Sequence, residues 1–253
     1  MLDSKNNISV VIITGNEESQ ITDCLNSCLQ VSQDLVVVDS LSDDGTLLRA
    51  EAAGARVFSK KWEGYGKAKN FGAEKAKHDW ILSIDADERL DPQMVGSILN
   101  QELDKQVLYG FRRLNYIGTT AIKYGEWNPD IKFRFYHRAT AKWNHAKVHE
   151  QLIGAPCHTK SVLPGYINHY SYRDIQELTL KLDHYARLGA IKMAEGNESP
   201  NLFSFLKPSF RFIKSYYLKG GFLDGKLGYQ IAKENARASK KKLNYLKESL
   251  KND

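Results

Sequence analysis

The feature that most constrains the fold is an alternation of short apolar runs and amphipathic stretches over the first 90 residues. The amphipathic stretches, at about 18–29, 46–53 and 67–77, have the spacing of helices. Between them lie strand-like apolar runs, at Ile8–Ile13, Leu35–Val38, Ala55–Phe58 and Trp80–Ile84. Continuous apolar strands that alternate with amphipathic helices are typical of a parallel sheet covered by helices on both faces. The pattern therefore predicts an α/β fold with a mostly parallel sheet.

The second half of the chain has a different pattern. Val107–Tyr116 and Ile131–Arg138 alternate in the manner of strands, with an irregular loop at Tyr124–Asp130 between them, and helical patterns resume at Arg173. A chain of 253 residues is near the upper limit for one hydrophobic core. We therefore predict a body over residues 1–172, with parts at 1–105 and 106–172, and a helical extension over residues 173–253.

Charge is distributed unevenly along the chain. The net charge is +6, but residues 201–251 alone hold 12 Lys and Arg against 3 Asp and Glu, whereas the first 200 residues carry −2. This distribution argues against a nucleic-acid-binding protein that is basic throughout. It favours a nearly neutral body with a basic C-terminal region.

The apolar runs and the cysteines bear on the compartment. The apolar runs fall far short of the about 20 residues that cross a bilayer, and no apolar leader segment precedes the first strand-like run. Cys24 and Cys28 lie four apart on a predicted helix, and neither they nor Cys157 has the spacing of a metal site. We expect Cys24 and Cys28 to be small core residues of a reduced, cytoplasmic protein.

Polar residues follow the strand-like runs, where ligands bind in sheets of this kind. Thr14–Glu17 follows the first run, and Asp85–Glu88 ends the fourth. The crowded carboxylates of Asp85–Glu88 repel one another, and a Mg²⁺ or Mn²⁺ ion held with substrate phosphates would offset them. Alternatively, this segment only leads into the next helix, with Asp91 as its N-cap and Pro92 as its first residue.

Two further segments contain residues that suit a nucleotide-binding site. Asp39 ends the second run, and its carboxylate can accept from a base or a ribose, although the residues after it also suit a plain turn. Gly64–Gly72 places two glycines before a helix that carries Lys67 and Asn70, and a helix N-terminus favours negative charge. Neither GxGxxG nor GxxxxGK[ST] is present, which argues against dinucleotide-binding and P-loop domains.

As an ordered set, these segments resemble glycosyltransferase family 2, the inverting enzymes with a GT-A-type fold. The matching segments are Thr14–Glu17, Val38–Thr46, Gly64–Gly72 and Asp85–Asp87. Three later segments look like the branch that contains bacterial lipopolysaccharide-core β-glucosyltransferases; they are Trp127–Asp130, Phe133–Tyr136 and Val148–Glu150. The resemblance implies a Rossmann-like, mostly parallel sheet flanked by helices, followed by a C-terminal helical extension.

The resemblance also implies a donor site for a UDP-sugar. Asp39 would contact the uracil or the ribose, and Asp85 would approach the ribose or the metal. Asp87 would bind the Mg²⁺ or Mn²⁺ that bridges the diphosphate and neutralises charge on the leaving group. The whole predicted nucleotide-sugar site consists of Thr14, Asn16, Glu17, Asp39, Lys67, Asn70, Asp85 and Ala86.

An inverting transfer needs one base, which removes the proton of the acceptor hydroxyl. By resemblance to the family's late acidic motif, Glu150 is the candidate, and Asp130 is the second choice. The alternative for Glu150 is a simple ion pair with a neighbouring cation such as Lys147.

The resemblance further implies the acceptor class. The Gln-x-x-Arg-Trp helix of polymerising members is missing, so we expect transfer of one sugar, glucose, to a lipopolysaccharide-core or other lipid-linked saccharide. Aromatic and basic residues interleave between Leu202 and Lys219, and the region 201–251 could bind an anionic membrane surface or pack on the body. We expect a peripheral enzyme on the cytoplasmic face and no nucleic acid partner. The alternatives are a non-catalytic nucleic-acid- or phospholipid-binding module and a sugar nucleotidyltransferase.

Overall fold

The computed structural model describes residues 7–146, 150–154, 158–196 and 202–252. The chain forms two compact units. The first unit comprises the residues up to Arg113 together with Asp130–His169, and the second comprises Leu114–Pro129 and Tyr170–Asp253. The assignment of separate donor and acceptor parts stays a prediction.

The first unit begins with four parallel strands in the spatial order β3-β2-β1-β4. The strands are β1 (Ile8–Thr14), β2 (Asp34–Asp39), β3 (Arg56–Ser59) and β4 (Trp80–Asp85). Helices connect them, namely α1 (Ile21–Cys28), α2 (Thr46–Ala52) and α3 (Tyr65–Lys75). Each of these elements lies where the alternation of apolar and amphipathic segments predicted it, with bounds shifted by a few residues at most.

Strand β1 shows why the apolar runs are continuous. All seven of its residues are buried, because both faces of the sheet are covered. Val10 and Ile12 contribute to the core that α1 covers, whereas Val11 belongs to the core on the opposite face. Cys24 and Cys28 of α1 are fully buried free thiols, which confirms them as core residues. Cys157 lies outside the described residues.

The sheet of the first unit continues in the order β4-β8-β6-β11-β5, and its pairs β4–β8, β8–β6 and β11–β5 are antiparallel. These strands are β5 (Glu88–Leu90), β6 (Val107–Ile117), β8 (Ile131–His137) and β11 (Thr159–Tyr172). Helix α4 (Pro92–Asn100) begins as predicted, with the Asp91 carboxylate accepting from the Met94 N–H at 2.6 Å. Strands β9 (Ala141–Trp143) and β10 (Leu152–Gly154) form a separate antiparallel pair.

The second unit is largely helical. Its helices are α5 (Ile175–Glu195), α6 (Leu202–Ile213) and α7 (Gly225–Asn252), and its strand β7 (Thr120–Ile122) pairs with the end of β6. A π-helical segment, Lys214–Leu218, continues α6, and a 3₁₀ segment, Gly221–Asp224, precedes α7. Among the described residues, no helix is long and apolar enough to cross a membrane.

The predicted fold class is confirmed in its main parts. The N-terminal half is Rossmann-like and parallel, helices flank the sheet, and a long helix ends the chain. The strand patterns at Val107–Tyr116 and Ile131–Arg138 correspond to β6 and β8, but the sequence did not reveal β11 or the strands β5, β7, β9 and β10, which are three residues each. Strands this short carry too few alternations to be distinguished from loops.

Candidate active site

The sheet brings the polar strand ends together. Thr14 at the end of β1 is in register with Asp39 at the end of β2, and Ile13 is in register with Asp85 at the end of β4. Three of the predicted site residues therefore line one edge of the parallel sheet. This is the edge at which ligands bind in open α/β sheets.

The loop after β1 is fixed to the turn after β2 by hydrogen bonds. The Asn16 N–H donates to the Ser42 hydroxyl at 2.8 Å, and the Asn16 side-chain oxygen accepts from the Asp43 N–H at 3.0 Å. The Glu17 N–H donates to the Thr46 hydroxyl at 2.8 Å. Asn16 has a left-handed backbone with φ of 57°, which asparagine tolerates better than most residues. The two predicted segments are thus one rigid assembly.

Asp39 is fully buried within this assembly. Its carboxylate accepts from the Ser42 N–H at 3.0 Å and from the Ser42 hydroxyl. The structure therefore shows Asp39 holding the turn after β2. Its contact with a uracil or ribose stays a prediction.

The start of α3 offers a shallow basic pocket beside β2. Lys67 lies there on the surface, with its Nζ 3.6 Å from a Glu63 carboxylate oxygen. The pocket is lined by Val38, Ser40, Lys60, Lys61, Trp62, Glu63, Lys67 and Ala68. The Trp62 indole and the lysine ammonium groups of this pocket suit a nucleotide base and its phosphates.

Asn70, in contrast, faces the protein. Its amide donates to the Trp143 carbonyl and accepts from the Trp143 N–H, both at 2.9 Å. Both functional groups of the amide are therefore used to attach α3 to β9. The structure gives Asn70 this linking role, and its predicted contact with the donor stays untested.

Asp85 is the centre of the charged site. Arg134 of β8 donates to the Asp85 carboxylate at 2.7 Å and to the Glu88 carboxylate at 2.7 Å. Burial by itself would raise the pKa of Asp85, but Arg134 and Lys69 overcome this and hold the pKa well below its usual range. Burial disfavours the charged guanidinium too, yet the pKa of Arg134 is raised because Asp85 and Glu88 flank it. Asp85 and Arg134 are therefore both charged at neutral pH.

Lys69 connects Asp85 to the predicted base. Its side chain is completely buried, and its Nζ lies 2.6 Å from a Glu150 carboxylate oxygen and 3.3 Å from an Asp85 carboxylate oxygen. The same ammonium lies 4.7 Å from the Trp143 ring centre, a cation–π contact. Glu150 is thus paired, as the alternative for it required, but with Lys69. Lys147, Val148 and His149 lie outside the described residues.

Asp130, the second candidate base, has two cationic partners. Arg113 donates to its carboxylate, with an Nη2–Oδ2 distance of 2.7 Å, and Lys132 lies 3.0 Å from the other oxygen. Burial would raise the pKa of Asp130, but Arg113 and Lys132 lower it overall. Since Arg113 also lies 3.5 Å from Glu88, one alternating series of charges runs through Asp130, Arg113, Glu88, Arg134, Asp85, Lys69 and Glu150.

The predicted metal ligand, Asp87, has a histidine beside it. His169 of β11 lies with its Nε2 3.2 Å from an Asp87 carboxylate oxygen, because His169 is in register with Glu88 across the β11–β5 pair. Among the described residues, no group of three or more potential ligand side chains converges on one point. A carboxylate and an imidazole still fit a Mn²⁺ or Mg²⁺ ion that takes its other ligands from a diphosphate and water.

Comparison with known proteins decides the family. The model of the glycosyl transferase family 2 matches residues 9–154, which contain every charged residue of the site except His169. This chain belongs to glycosyltransferase family 2. The predicted enzyme class is thereby confirmed, in preference to a non-catalytic binding module or a sugar nucleotidyltransferase.

The glycosyltransferase has relatives that span most of its length. A glycosyltransferase of Rickettsia bellii is 28% identical over 241 residues, covering 88% of this chain and 80% of the relative. The lipopolysaccharide core biosynthesis glycosyltransferase LpsC of Rhizobium meliloti is 27% identical over 235 residues, covering 88% and 85%. Among solved structures, glucosyl-3-phosphoglycerate synthase from Mycobacterium tuberculosis, in complex with Mn²⁺ and UDP, is 27% identical over 46% of each chain, with a TM-score of 0.37.

Several residues of the glycosyltransferase's charged site were not found from the sequence. These are Lys69, Arg113, Arg134 and His169. Lys69 gave a usable signal, since it lies on the same face of α3 as the small residues Gly72 and Ala73, and a lysine on a buried face needs carboxylate partners. His169 gave none, because its approach to Asp87 depends on how β11 pairs with β5.

Proposed function

We propose that this glycosyltransferase moves one sugar, with glucose as the expected one, from a UDP-sugar to a lipopolysaccharide-core or other lipid-linked saccharide. One observation carries the proposal: a single buried ammonium, that of Lys69, contacts both Asp85 and Glu150. Asp85 belongs to the donor motif and Glu150 to the acceptor motif. Their shared partner supports the proposal that a donor-binding group and a base act at one anomeric carbon.

The donor side uses the strand ends and the pocket beside α3. Lys60, Trp62 and Lys67 are suited to the nucleotide, and the Ala86 backbone follows β4 directly. Asp87 and His169 would hold Mg²⁺ or Mn²⁺ at the diphosphate. When bound, the ion supplies Lewis-acid neutralisation of the charge that develops on the departing UDP.

On the acceptor side, Glu150 removes the proton of the attacking hydroxyl. The hydroxyl oxygen forms a bond to the anomeric carbon as the bond from that carbon to the diphosphate oxygen breaks, so the configuration inverts. Lys69 pairs with Glu150 before the reaction and remains paired with Asp85 after the proton transfer. Asp130 is the second choice, because Arg113 and Lys132 lower its pKa and so weaken it as a base.

The similarity to LpsC favours a lipopolysaccharide-core acceptor, since that relative is named for this biosynthesis. An acceptor of this kind is attached to a lipid, which is consistent with a peripheral enzyme at the cytoplasmic face of a membrane. The net charge of +9 over residues 201–251 is favourable for the same location.

The proposal is tested by titrating the protein with a panel of UDP-sugars, with and without Mn²⁺, and measuring binding by calorimetry. We expect UDP-glucose to bind more tightly with Mn²⁺, and Asp87→Ala to abolish this difference. The matched control is Asp79→Ala, which removes an exposed carboxylate of the same unit that pairs with Arg138. Absence of binding by every UDP-sugar would refute the donor class, and full Mn²⁺ dependence in Asp87→Ala would refute the metal ligand.

A further inference from the structure

A stripe of exposed apolar side chains runs along α6 and the π-helical segment that continues it. Leu206, Phe210, Ile213 and Tyr217 are spaced i, i+4, i+7 and i+11, so they share one helix face. They are exposed by 61%, 59%, 47% and 58%, respectively. Contiguous apolar surface of this kind marks an interaction site in a folded protein.

The apolar surface extends beyond the helix. Leu218, Phe222 and Leu223 are also about half exposed or more. Together with the stripe they form what we call the α6 surface, which consists of Leu206, Phe210, Ile213, Tyr217, Leu218, Phe222 and Leu223. Beneath it, Tyr216 packs on Phe212 and Tyr229 with ring-centre distances of 5.5 and 5.7 Å. These ring contacts attach the segment to α7 within the second unit.

The charges around the α6 surface are positive. Lys207, Lys214, Lys219 and Lys226 are all exposed, and none of them makes an ion pair with another described residue. Arg211 is bound to Glu126 at 2.7 Å, and the one acidic residue between 202 and 226, Asp224, accepts from the backbone N–H groups of 123 and 124. The apolar surface is therefore bordered by four lysines that have no ion pair among the described residues, whereas the nearby carboxylates of Glu126 and Asp224 are already engaged.

We propose that the α6 surface docks on an anionic lipid bilayer, with the apolar side chains in the interface and the four lysines at the headgroups. Aromatic and aliphatic side chains flanked by lysine are the chemistry that such an interface binds. A second copy of this chain fits less well, because a symmetric pair would bring the same lysines face to face. This inference deepens the proposed function, on which it rests only for the statement that the bilayer presents the acceptor.

The test is co-sedimentation of the full chain with phosphatidylcholine vesicles, with and without phosphatidylglycerol. We expect binding only to the anionic vesicles, weakened by salt. Phe210→Ser with Tyr217→Ser should reduce the partitioning of the protein onto vesicles at least about tenfold, because membrane affinity scales with the apolar area buried on binding. Lys207→Glu with Lys214→Glu should remove the preference for phosphatidylglycerol.

The matched control is Leu180→Ser with Leu188→Ser, which changes two exposed leucines of α5 in the same unit. It should leave vesicle binding unchanged. The proposal would be overturned if the Phe210/Tyr217 variant bound vesicles as well as wild type, or if the control lost as much binding as that variant. It would also be overturned if the wild-type chain formed a dimer that the Phe210/Tyr217 variant dissociates. Thermal melts check that every variant is folded.

UDP-sugar titration of the same variants separates this inference from the proposed function. Vesicle binding without any UDP-sugar binding would leave the surface established and the transferase proposal refuted. UDP-sugar binding with no vesicle binding would refute the surface alone.

Discussion

At the scale of single residues, the site depends on buried charges that satisfy one another. Lys69 has no exposed surface, and its ammonium is balanced by Asp85, Glu150 and the Trp143 ring. A buried cation is tolerated only where carboxylates pair with it and offset the cost of removing these charges from water. Removing one member leaves the others without a partner in a medium of low dielectric constant.

Replacing Lys69 with methionine tests this balance. Lys69→Met keeps most of the side-chain volume but leaves Asp85 and Glu150 without their shared cation. We therefore expect the free energy of unfolding to fall by about 3–5 kcal/mol. Transfer activity should fall with it. The control is Lys75→Met, at an exposed position of the same helix, and its free energy of unfolding should stay within about 0.5 kcal/mol of the wild-type value. Urea unfolding measures both, and a Lys69→Met protein as stable as wild type would contradict the assignment.

Replacing Glu150 with glutamine tests the base. Glu150→Gln keeps the shape and an acceptor oxygen for Lys69, so UDP-sugar binding should be unchanged. Because the amide cannot take the proton, kcat should fall at least about 100-fold. Glu74→Gln, an exposed change on α3, serves as the control. If Asp130→Asn abolishes transfer while Glu150→Gln does not, the base is Asp130.

At this scale, the sequence located side chains best where they end a strand, and their roles in donor binding stay predictions. Asp85 and Thr14 were found because a polar residue that ends an apolar run marks the ligand edge. Arg134 and His169 were not found, since each lies on an antiparallel strand whose partner is distant in the chain. Asn70 has a structural role that the sequence did not indicate, because both groups of its amide bond to the Trp143 backbone.

At the scale of elements, the position of α3 determines where Lys69 points. A Cβ at Gly66 would collide with the carbonyl oxygen of Asn144, and one at Gly72 would collide with the Val11 side chain. The helix therefore approaches both the sheet and the segment before Glu150 through glycines. The alternation of elements was predictable from the sequence, but this close approach was not, because it depends on a partner about 80 residues away.

An alanine at Gly66 tests that approach. Gly66→Ala forces backbone to move against backbone, so we expect a loss of about 1–3 kcal/mol in the free energy of unfolding. Activity should fall too, since the shift separates Lys69 from Glu150. Gly96→Ala in α4 is the matched control, because its Cβ meets nothing within 4 Å and should stabilise the helix by about 0.5–1 kcal/mol. Equal stability of the two variants would contradict the close packing.

At the scale of the whole molecule, the charge asymmetry of the sequence has a structural counterpart. The buried alternating charges belong to the first unit, whereas the exposed cations around α6 belong to the second. The net charge indicated two regions of different character. It could not indicate that seven charged groups of the first unit form one connected series, which requires the tertiary structure.

The carboxyls with lowered pKa also fix how stability depends on pH. The pKa values of Asp34, Asp85 and Asp130 are lowered in spite of their burial, by cations and hydrogen-bond donors, and Lys241 and Tyr245 lower that of Asp183 to about 2. The unfolded chain therefore binds more protons than the native one in acid. These groups contribute fully to the stability of the native state above about pH 4, the pKa of an unfolded carboxyl. Their contribution is lost as the pH falls below that value.

His137 adds a separate, earlier step. Burial lowers its pKa below the ordinary value of about 6.5, so the native state resists its protonation while the unfolded state accepts the proton. Stability should therefore be highest above about pH 7, decline slightly between pH 6.5 and 5, and fall steeply below pH 4. Melting temperatures across this range measure both steps. His137→Asn should remove the first and keep the second, and a melting temperature that rises from pH 6.5 to 5 would contradict the assignment.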